Sequence, residues 1–239
     1  MSKTINLNYI AGAVSDRGAT KKINQDKVCL RKKTTEKGEA LFAIVCGGMG
    51  GMGRGDVAAN TVVREFSIWF RYHLEEVLEN PKKIMTEWKA IIKELNERIR
   101  GYGKQRGIRL GTTLTAFLLL PDGTYYIANV GGNRFYCMEE DDIRLETIGA
   151  KEKKQQSLVG TSDFVSPSFA NGSVQGSKGF LMCTDGFYHM LFLKKLDQKL
   201  LEDDFEKDED IKKKLEEVTY EMTHHGERDN LSAILIKVC

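Results

Sequence analysis

A cluster of glycines at residues 47–53 is the segment whose residue types and spacing first suggest chemistry. It follows a strand-like run and precedes a helical pattern, and Gly48, Gly50 and Gly53 match the spacing of dinucleotide-binding turns. The expected downstream features do not follow, because the helix runs over residues 56–79 without a second parallel strand that carries a ribose-binding acid. The Gly-Lys-Ser/Thr segment of a P-loop is also missing from the sequence. We interpret the glycines as a tight, closely packed turn, with nucleotide binding as an alternative.

The segments on either side of this turn predict strands and a pair of helices. Strand-like runs at 27–33 and 40–46 flank a turn and predict a β-hairpin. A second helix is predicted to start at Asn80 and Pro81, a capping residue followed by proline at the first helical position. Its apolar face comprises Ile84, Trp88, Ile91, Leu95 and Ile99. The short connection between the two helices predicts an antiparallel pair.

The second half of the chain is predicted to be rich in β-structure. Runs at 112–120, 125–130, 134–138 and 143–148 predict a meander, with an acidic turn over 139–142. Residues 149–177, including the polar segment 151–156, lack periodicity and predict a loop. A strand at 179–183, a helix bearing Ile211, Leu215, Val218 and Met222, and a strand at 231–238 complete the pattern. The length suits one domain over residues 1–239.

Six short segments occur in one order over nearly the whole chain. They are Ser15-Asp16-Arg17-Gly18 with Asn24-Gln25-Asp26, residues 45–51, Gly111-Thr112-Thr113, residues 129–134, Cys183-Thr184-Asp185-Gly186 and Arg228-Asp229-Asn230. In this order they resemble the PPM family, the metal-dependent type 2C Ser/Thr protein phosphatases, with a spacing similar to bacterial members. The resemblance implies an α+β fold, an α/β sandwich in which two packed antiparallel β-sheets are flanked by pairs of antiparallel helices.

The resemblance also implies a Mg²⁺ or Mn²⁺ site. The family hydrolyses phosphoserine and phosphothreonine with a water activated between two such ions, which need oxygen ligands and a bridging carboxylate. Asp185 and Asp229 match metal ligands of the family, Asp26 matches its acidic outer-shell position, and Gly48 can offer the backbone carbonyl that the family uses. Lys21 stands where bacterial members carry a phosphate-binding arginine. A lysine attracts phosphate but does not clamp it bidentately.

Three positions depart from the family pattern. Gly47 replaces the bridging aspartate, Gly132 replaces the aspartate associated with a third metal, and His189 stands where an acid is expected after Asp185. Without a carboxylate at position 47, the recognisable site lacks a group that holds two divalent ions together against their repulsion. The sequence therefore predicts a degenerate site with at most one Mg²⁺ or Mn²⁺, held between Asp185 and Asp229.

These departures predict a weak or inactive pseudophosphatase that acts in phospho-signalling by binding a phosphoprotein, a kinase or a regulatory protein. The alternative is an active Mn²⁺- or Mg²⁺-dependent phosphatase with a non-standard metal site that includes Asp26. Simpler interpretations stay open for single residues: Asp185 and Asp229 as turn residues, Lys21 as a solvated charge, and His189 as a structural or exposed side chain.

Composition excludes several other classes of function. With 36 basic and 34 acidic residues, and no patch of interleaved basic and aromatic residues, the chain is not predicted to bind nucleic acid. Its longest apolar run is far shorter than the ~20 residues that cross a bilayer, so no membrane partner is predicted. The 5 cysteines are scattered without a Cys-x-x-Cys pair, which favours reduced thiols and a cytoplasmic location.

Overall fold

The fold is given by a computed structural model that describes residues 7–50, 54–139, 143–146, 157–175, 179–201 and 205–238. Its strands are β1 (Tyr9–Asp16), β2 (Lys27–Thr35), β3 (Gly38–Cys46), β4 (Gly48–Gly50), β5 (Leu110–Thr112), β6 (Leu114–Leu119), β7 (Thr124–Val130), β8 (Arg134–Met138), β9 (Ile143–Leu145), β10 (Ser168–Ser173), β11 (Gly179–Cys183) and β12 (Leu231–Val238). Its helices are α1 (Gly55–Glu79), α2 (Lys83–Arg106), α3 (Asp185–Leu193), α4 (Asp197–Leu201) and α5 (Asp208–His224).

The strands form two antiparallel sheets that pack face to face. One 5-stranded sheet has the order β1-β12-β11-β8-β9, the other has the order β10-β7-β6-β3-β2, and β4 and β5 form a separate pair. The first and last strands of the chain lie side by side, with Tyr9 opposite Val238 and Asp16 opposite Leu231. The predicted sandwich of two antiparallel sheets is therefore confirmed.

Three apolar layers hold the elements together. Between the sheets, the ring of Phe117 lies 5.2 Å from that of Phe135 and 5.0 Å from that of Phe180. On β3, Phe42 and Ile44 pack against α1 and α2, while the alternating residues pack in the layer between the sheets. This strand is buried on both faces, which explains why its sequence is apolar throughout instead of alternating. On the opposite side of the sandwich, α3, α4 and α5 cover the first sheet.

The helix pair differs from its prediction in two details. Helix α2 begins at Lys83, not at Pro81, because the carbonyl of Asn80 accepts a hydrogen bond from the Lys83 amide and closes a turn first. Ile92 is fully buried on this helix, whereas the predicted core residue Ile91 is only partly buried. The prediction that Trp88 is a core residue is confirmed, since its side chain is 0% exposed.

The predicted meander is wrong as a single sheet. β6 and β7 belong to one sheet and β8 and β9 to the other, so the chain crosses between sheets in the turn at residues 131–133. The prediction of a loop over 149–177 is also wrong in part, because β10 pairs with β7 along the edge of the sheet. β10 is largely polar and only partly buried. Its sequence therefore lacks the alternation of apolar and polar residues that indicates a strand. Most of the predicted acidic turn, residues 140–142, and the segment 151–156 lie outside the described residues.

In the described part of the chain, the helices are too short or too polar to span a lipid bilayer.

Candidate metal site

The aspartates singled out in the sequence meet at one end of the sandwich. β11 and β12 are neighbouring antiparallel strands, and Cys183 on β11 lies opposite Ala233 on β12. Asp185, which follows β11, is therefore brought beside Asp229, which precedes β12. The two segments lie close together, since a Cβ atom added to Gly186, the residue after Asp185, would lie only 3.2 Å from the Cβ atom of Asp229.

Asp26 reaches the same place from the start of β2. Its side chain is only 6% exposed, and its Oδ2 accepts a hydrogen bond of 3.0 Å from the hydroxyl of Thr184. Burial raises the pKa of Asp26 to about 7, and the nearby charges of Asp185 and Asp229 add to this rise. Hydrogen bonds from Ser232 and Thr184 oppose it. Because the charges of Asp185 and Asp229 act on the buried carboxylate of Asp26, this end of the sandwich favours a bound cation or a proton on Asp26.

Lys21 supplies a positive charge at this site. Its ammonium nitrogen lies 2.9 Å from Oδ1 of Asp229, and both side chains are partly exposed. Oδ1 of Asp229 also accepts a hydrogen bond of 2.8 Å from the amide of Asn230. The residue predicted to contact phosphate is thus paired with a residue predicted to contact metal. The two predicted roles therefore compete in this conformation, because a metal bound through Oδ1 of Asp229 would have to displace Lys21.

Gly47 lies where β3 gives way to β4 and faces the same cluster. Its amide donates a hydrogen bond of 2.7 Å to Oγ1 of Thr113, and its carbonyl accepts one of 3.0 Å from the Thr113 amide. A Cβ atom at position 47 would lie 2.9 Å from Oγ1 of Thr113, 3.5 Å from Cγ2 of Thr184 and 3.6 Å from Oδ1 of Asn133. A side chain here would therefore lie beside Thr184, the residue whose hydroxyl contacts Asp26, after a small shift of Thr113.

The remaining predicted site positions, Gly48, Gly132 and His189, lie on three different elements or turns. Gly48 pairs with Thr112 in the small sheet, and its backbone packs against that of Gly55 at the start of α1. Gly132 lies in the turn between β7 and β8. His189 is exposed on α3, where its ring centroid is 4.5 Å from that of Tyr188.

The donor atoms allow a test of how an ion would fit. Carboxylate oxygens of Asp26, Asp185 and Asp229 are ligands that suit Mg²⁺ or Mn²⁺ with retained waters. In the described part of the chain, the ligand oxygens of these three residues do not all lie within 4.8 Å of one another. An ion held by these residues would therefore need waters to complete its coordination, and residue 47, a glycine, offers no side-chain oxygen.

Two residues that organise the site were not assigned a role from the sequence. Thr184 connects Asp26 to the junction between β11 and α3. Asn230 accepts a hydrogen bond of 3.0 Å from the amide of Gln25 and donates one of 2.8 Å to the carbonyl of Arg17, which fastens the loop that carries Lys21. Both residues belong to the short segments that carried the resemblance, Cys183–Gly186 and Arg228–Asn230. Their place next to Asp185 and Asp229 in these segments could have marked them as site residues.

A family model matches most of the chain. The family model described as protein phosphatase 2C matches residues 17–236. A curated relative, the serine/threonine phosphatase stp of Listeria innocua, is 31% identical over 132 residues. That match covers 54% of this chain and 50% of the relative, so the chain spans about half the length of this relative.

Solved structures show the same fold at low sequence identity. The serine/threonine phosphatase Stp1 from Staphylococcus aureus is 20% identical, with a TM-score of 0.78 over 100% of this chain and 98% of that chain. The catalytic domain of the serine/threonine protein phosphatase PstP, in complex with 2 manganese ions, is 19% identical, with a TM-score of 0.76 over 97% of this chain and 99% of that chain. These similarities extend over both sheets and the helices that cover them.

Proposed function

The chain belongs to the protein phosphatase 2C family, and on this basis we propose that it is a pseudophosphatase that binds phosphorylated proteins, kinases or regulatory proteins with little or no turnover. In this proposal, residues 1–239 form one domain, and its degenerate site binds at most one Mg²⁺ or Mn²⁺. A cytoplasmic location, and the lack of nucleic-acid and membrane partners, stay predictions from composition.

The observation that carries the proposal is the backbone at Gly47. The PstP structure contains two manganese ions, and two such cations need a shared anionic ligand to offset their repulsion. Residue 47 is a glycine and supplies no carboxylate, and its backbone amide is hydrogen-bonded to the hydroxyl of Thr113. Without a second ion, the chain lacks the arrangement that activates a water between two metals.

The remaining residues are assigned binding roles. Asp185 and Asp229 would hold one hydrated ion, with Asp26 nearby and the carbonyl of Gly48 as a further oxygen. When bound, such an ion would supply Lewis-acid attraction for a phosphoryl oxygen. Lys21 would attract the same phosphate once its ammonium leaves Asp229, since the two groups lie 2.9 Å apart. The site would therefore recognise a phosphorylated side chain without positioning a nucleophile.

The first test is hydrolysis of a phosphothreonine peptide by the purified protein across a Mn²⁺ titration. Asp185→Asn serves as the blank, because it removes a proposed ligand with little change in side-chain volume. We expect no turnover above this blank at any Mn²⁺ concentration. Turnover that rises with Mn²⁺ and disappears in Asp185→Asn would overturn the proposal.

A gain-of-function variant tests whether Gly47 and Gly132 account for the proposed lack of phosphatase activity. Gly47→Asp combined with Gly132→Asp should create Mn²⁺-dependent hydrolysis. Because a Cβ atom at position 47 would lie 2.9 Å from Oγ1 of Thr113, a version that also carries Thr113→Ala provides room. Circular dichroism should show that both variants fold, and Mn²⁺ electron paramagnetic resonance should show binding. A folded variant that binds Mn²⁺ but remains inactive would show that these two losses do not explain the missing activity.

Direct binding measurements test whether the protein recognises phosphorylated peptides. Fluorescence anisotropy with a labelled phosphothreonine peptide and its unphosphorylated twin should show preference for the phosphorylated form. Lys21→Gln should reduce that preference, whereas Lys22→Gln, which changes an exposed neighbouring lysine, should not. Equal binding of both peptides by the unmodified protein would contradict phosphate recognition.

The convergence of three carboxylates favours one alternative function. Asp26 is buried beside Asp185 and Asp229, and it could serve as an additional ligand in an active Mn²⁺- or Mg²⁺-dependent phosphatase with a non-standard site. This alternative predicts Mn²⁺-dependent turnover that is lost in Asp26→Asn as well as in Asp185→Asn. The Mn²⁺ titration above therefore separates the two functions.

A further inference from the structure

A second group of metal-ligating side chains lies on the helix pair. His73 and Glu76 on α1 and Glu87 on α2 each offer one ligand atom, and these atoms all lie within 4.8 Å of one another. In the described part of the chain, this is the one group of three or more His, Cys, Asp or Glu side chains that meets this distance. It brings together an imidazole nitrogen and two carboxylates from two different helices.

The helix geometry explains why these side chains meet. Residues three to four positions apart lie on the same face of a helix, which aligns Trp69, His73 and Glu76 along α1. The same spacing on α2 places Lys83 one turn before Glu87. Since α1 and α2 are joined only by residues 80–82, the end of the first helix faces the start of the second.

One carboxylate of the group is held in place by a buried donor. Nε1 of Trp69 donates a hydrogen bond of 2.6 Å to Oε2 of Glu87, and the Trp69 side chain is only 3% exposed. Nδ1 of His73 lies 3.6 Å from the same oxygen. A hydrogen bond from a neighbouring side chain fixes the orientation of a carboxylate, and metal-binding carboxylates commonly accept such hydrogen bonds. Glu87 is thereby pre-oriented toward the imidazole.

The group contains two carboxylates, one of which is paired with a lysine. The ammonium of Lys83 lies 2.5 Å from Oε1 of Glu76. A dication at this site would therefore compete with Lys83 for Glu76, while Glu87 keeps its hydrogen bond from the Trp69 indole.

We propose that His73, Glu76 and Glu87 form a binding site for a first-row transition-metal dication such as Zn²⁺, separate from the aspartate site. Imidazole and carboxylate are both groups that bind Zn²⁺ in proteins, with water completing the coordination, and the imidazole favours Zn²⁺ over Mg²⁺. Zinc bonds of about 2.0–2.2 Å would draw the three ligand atoms to about 3.3 Å apart. His73 and Glu76 are exposed, so their side chains can make this adjustment. The bound ion would link α1 to α2 near their connection.

The first test uses the buried indole as a reporter. The paramagnetic ion Ni²⁺ binds the same types of ligand as Zn²⁺, and at this site it should quench the fluorescence of Trp69, which contacts a ligand carboxylate. Titrations are made in an Asp185→Asn/Asp229→Asn background, which removes the other proposed metal site. We expect saturable quenching that Zn²⁺ reverses by competition. His73→Ala should weaken Ni²⁺ and Zn²⁺ binding by at least about tenfold, because one of three ligands is lost.

Control variants test whether the measured metal binding depends on His73, Glu76 and Glu87. Glu94→Gln changes another exposed carboxylate on α2 and should leave both affinities unchanged. Lys83→Met should tighten Zn²⁺ binding about two- to fivefold, since it removes the competing ammonium. Zn²⁺ at tenfold excess over its dissociation constant should raise the unfolding midpoint of the background protein by about 3–5 °C, but not that of its His73→Ala version. Zn²⁺ affinity that His73→Ala and Glu87→Gln leave unchanged would overturn the proposal.

Discussion

The hydroxyl of Thr184 donates a hydrogen bond of 3.0 Å to Oδ2 of Asp26, although 158 positions separate the two residues. The amide of Ser232 donates in turn to the same hydroxyl oxygen over 3.1 Å. The hydroxyl hydrogen points to the carboxylate at 3.0 Å in preference to the Ser232 carbonyl, which lies farther away at 3.4 Å. Thr184 thereby joins β2, β11 and β12 at the candidate site and stabilises the charged form of Asp26.

Replacing Thr184 with valine should therefore reduce stability. Thr184→Val keeps the shape of the side chain but leaves the buried Asp26 carboxylate and the Ser232 amide each without this partner. The expected loss is about 1–3 kcal/mol in the free energy of unfolding, measured by urea denaturation at pH 7.5. Thr61→Val is a suitable control, since its hydroxyl bonds only within α1, to the carbonyl of Val57. Equal losses in the two variants would contradict a special role for Thr184.

The raised pKa of Asp26 predicts a pH dependence with a definite sign. The folded protein holds this proton up to about pH 7, whereas the unfolded chain releases it near pH 3.8, the ordinary pKa of an aspartate. Between these values the folded state binds more protons, so the stabilisation present below pH 3.8 is lost as the pH rises through 7. Asp26→Asn removes this proton exchange. The free energy of unfolding of the unmodified protein, relative to this variant, should fall by up to about 1.4 kcal/mol per pH unit between about pH 5 and 7.

Urea denaturation in the presence of a chelator, at several pH values from about 5 to 8, provides the measurement. The chelator matters because a bound cation would stabilise the ionised carboxylate and reverse part of the effect. A difference between the two proteins that does not change with pH would show that Asp26 ionises normally in the folded state.

The fold was predictable where apolar residues form a continuous run or follow the spacing of a helix. β3 and β12 carry nearly continuous apolar runs because both of their faces are covered, and α1 begins within one residue of its predicted start. β10 was missed because an edge strand makes few apolar contacts. The crossing after β7 was missed because neighbouring strands in the sequence usually pair, and nothing local shows that the turn at 131–133 leads to the other sheet.

The sequence nominates the residues of the candidate site, but it does not encode their geometry. Asp26, Asp185 and Asp229 were identified from short segments, and the structure brings them together because their strands share one end of the sandwich. The pairing of Lys21 with Asp229 depends on how residues 17–25 fold back on Asn230. No local pattern encodes such contacts, because the partners are far apart in the sequence.

The close approach of Gly18 to Asp229 gives a prediction about the loop that carries Lys21. Gly18 has a φ of +73°, and a Cβ atom there would lie within 2.0 Å of the Asp229 carbonyl oxygen. Gly18→Ala should therefore displace Asp229, lower the free energy of unfolding by roughly 2–4 kcal/mol and weaken Mn²⁺ binding. Gly107→Ala is the matched control, because Gly107 has a φ of +63° but no atom within 4 Å of the added carbon. It should cost only about 1 kcal/mol and leave Mn²⁺ binding unchanged.

The ion pair between Lys21 and Asp229 predicts that lysine and metal compete for one carboxylate. The pair is partly exposed, so Lys21→Met should change the free energy of unfolding by no more than about 0.5 kcal/mol. The same substitution frees Oδ1 of Asp229 and should tighten Mn²⁺ binding about two- to fivefold, as measured by electron paramagnetic resonance of free Mn²⁺. Lys22→Met controls for the general loss of positive charge, and Asp229→Asn should abolish the gain. If Lys22→Met tightens Mn²⁺ binding as much as Lys21→Met does, the gain reflects net charge rather than this ion pair.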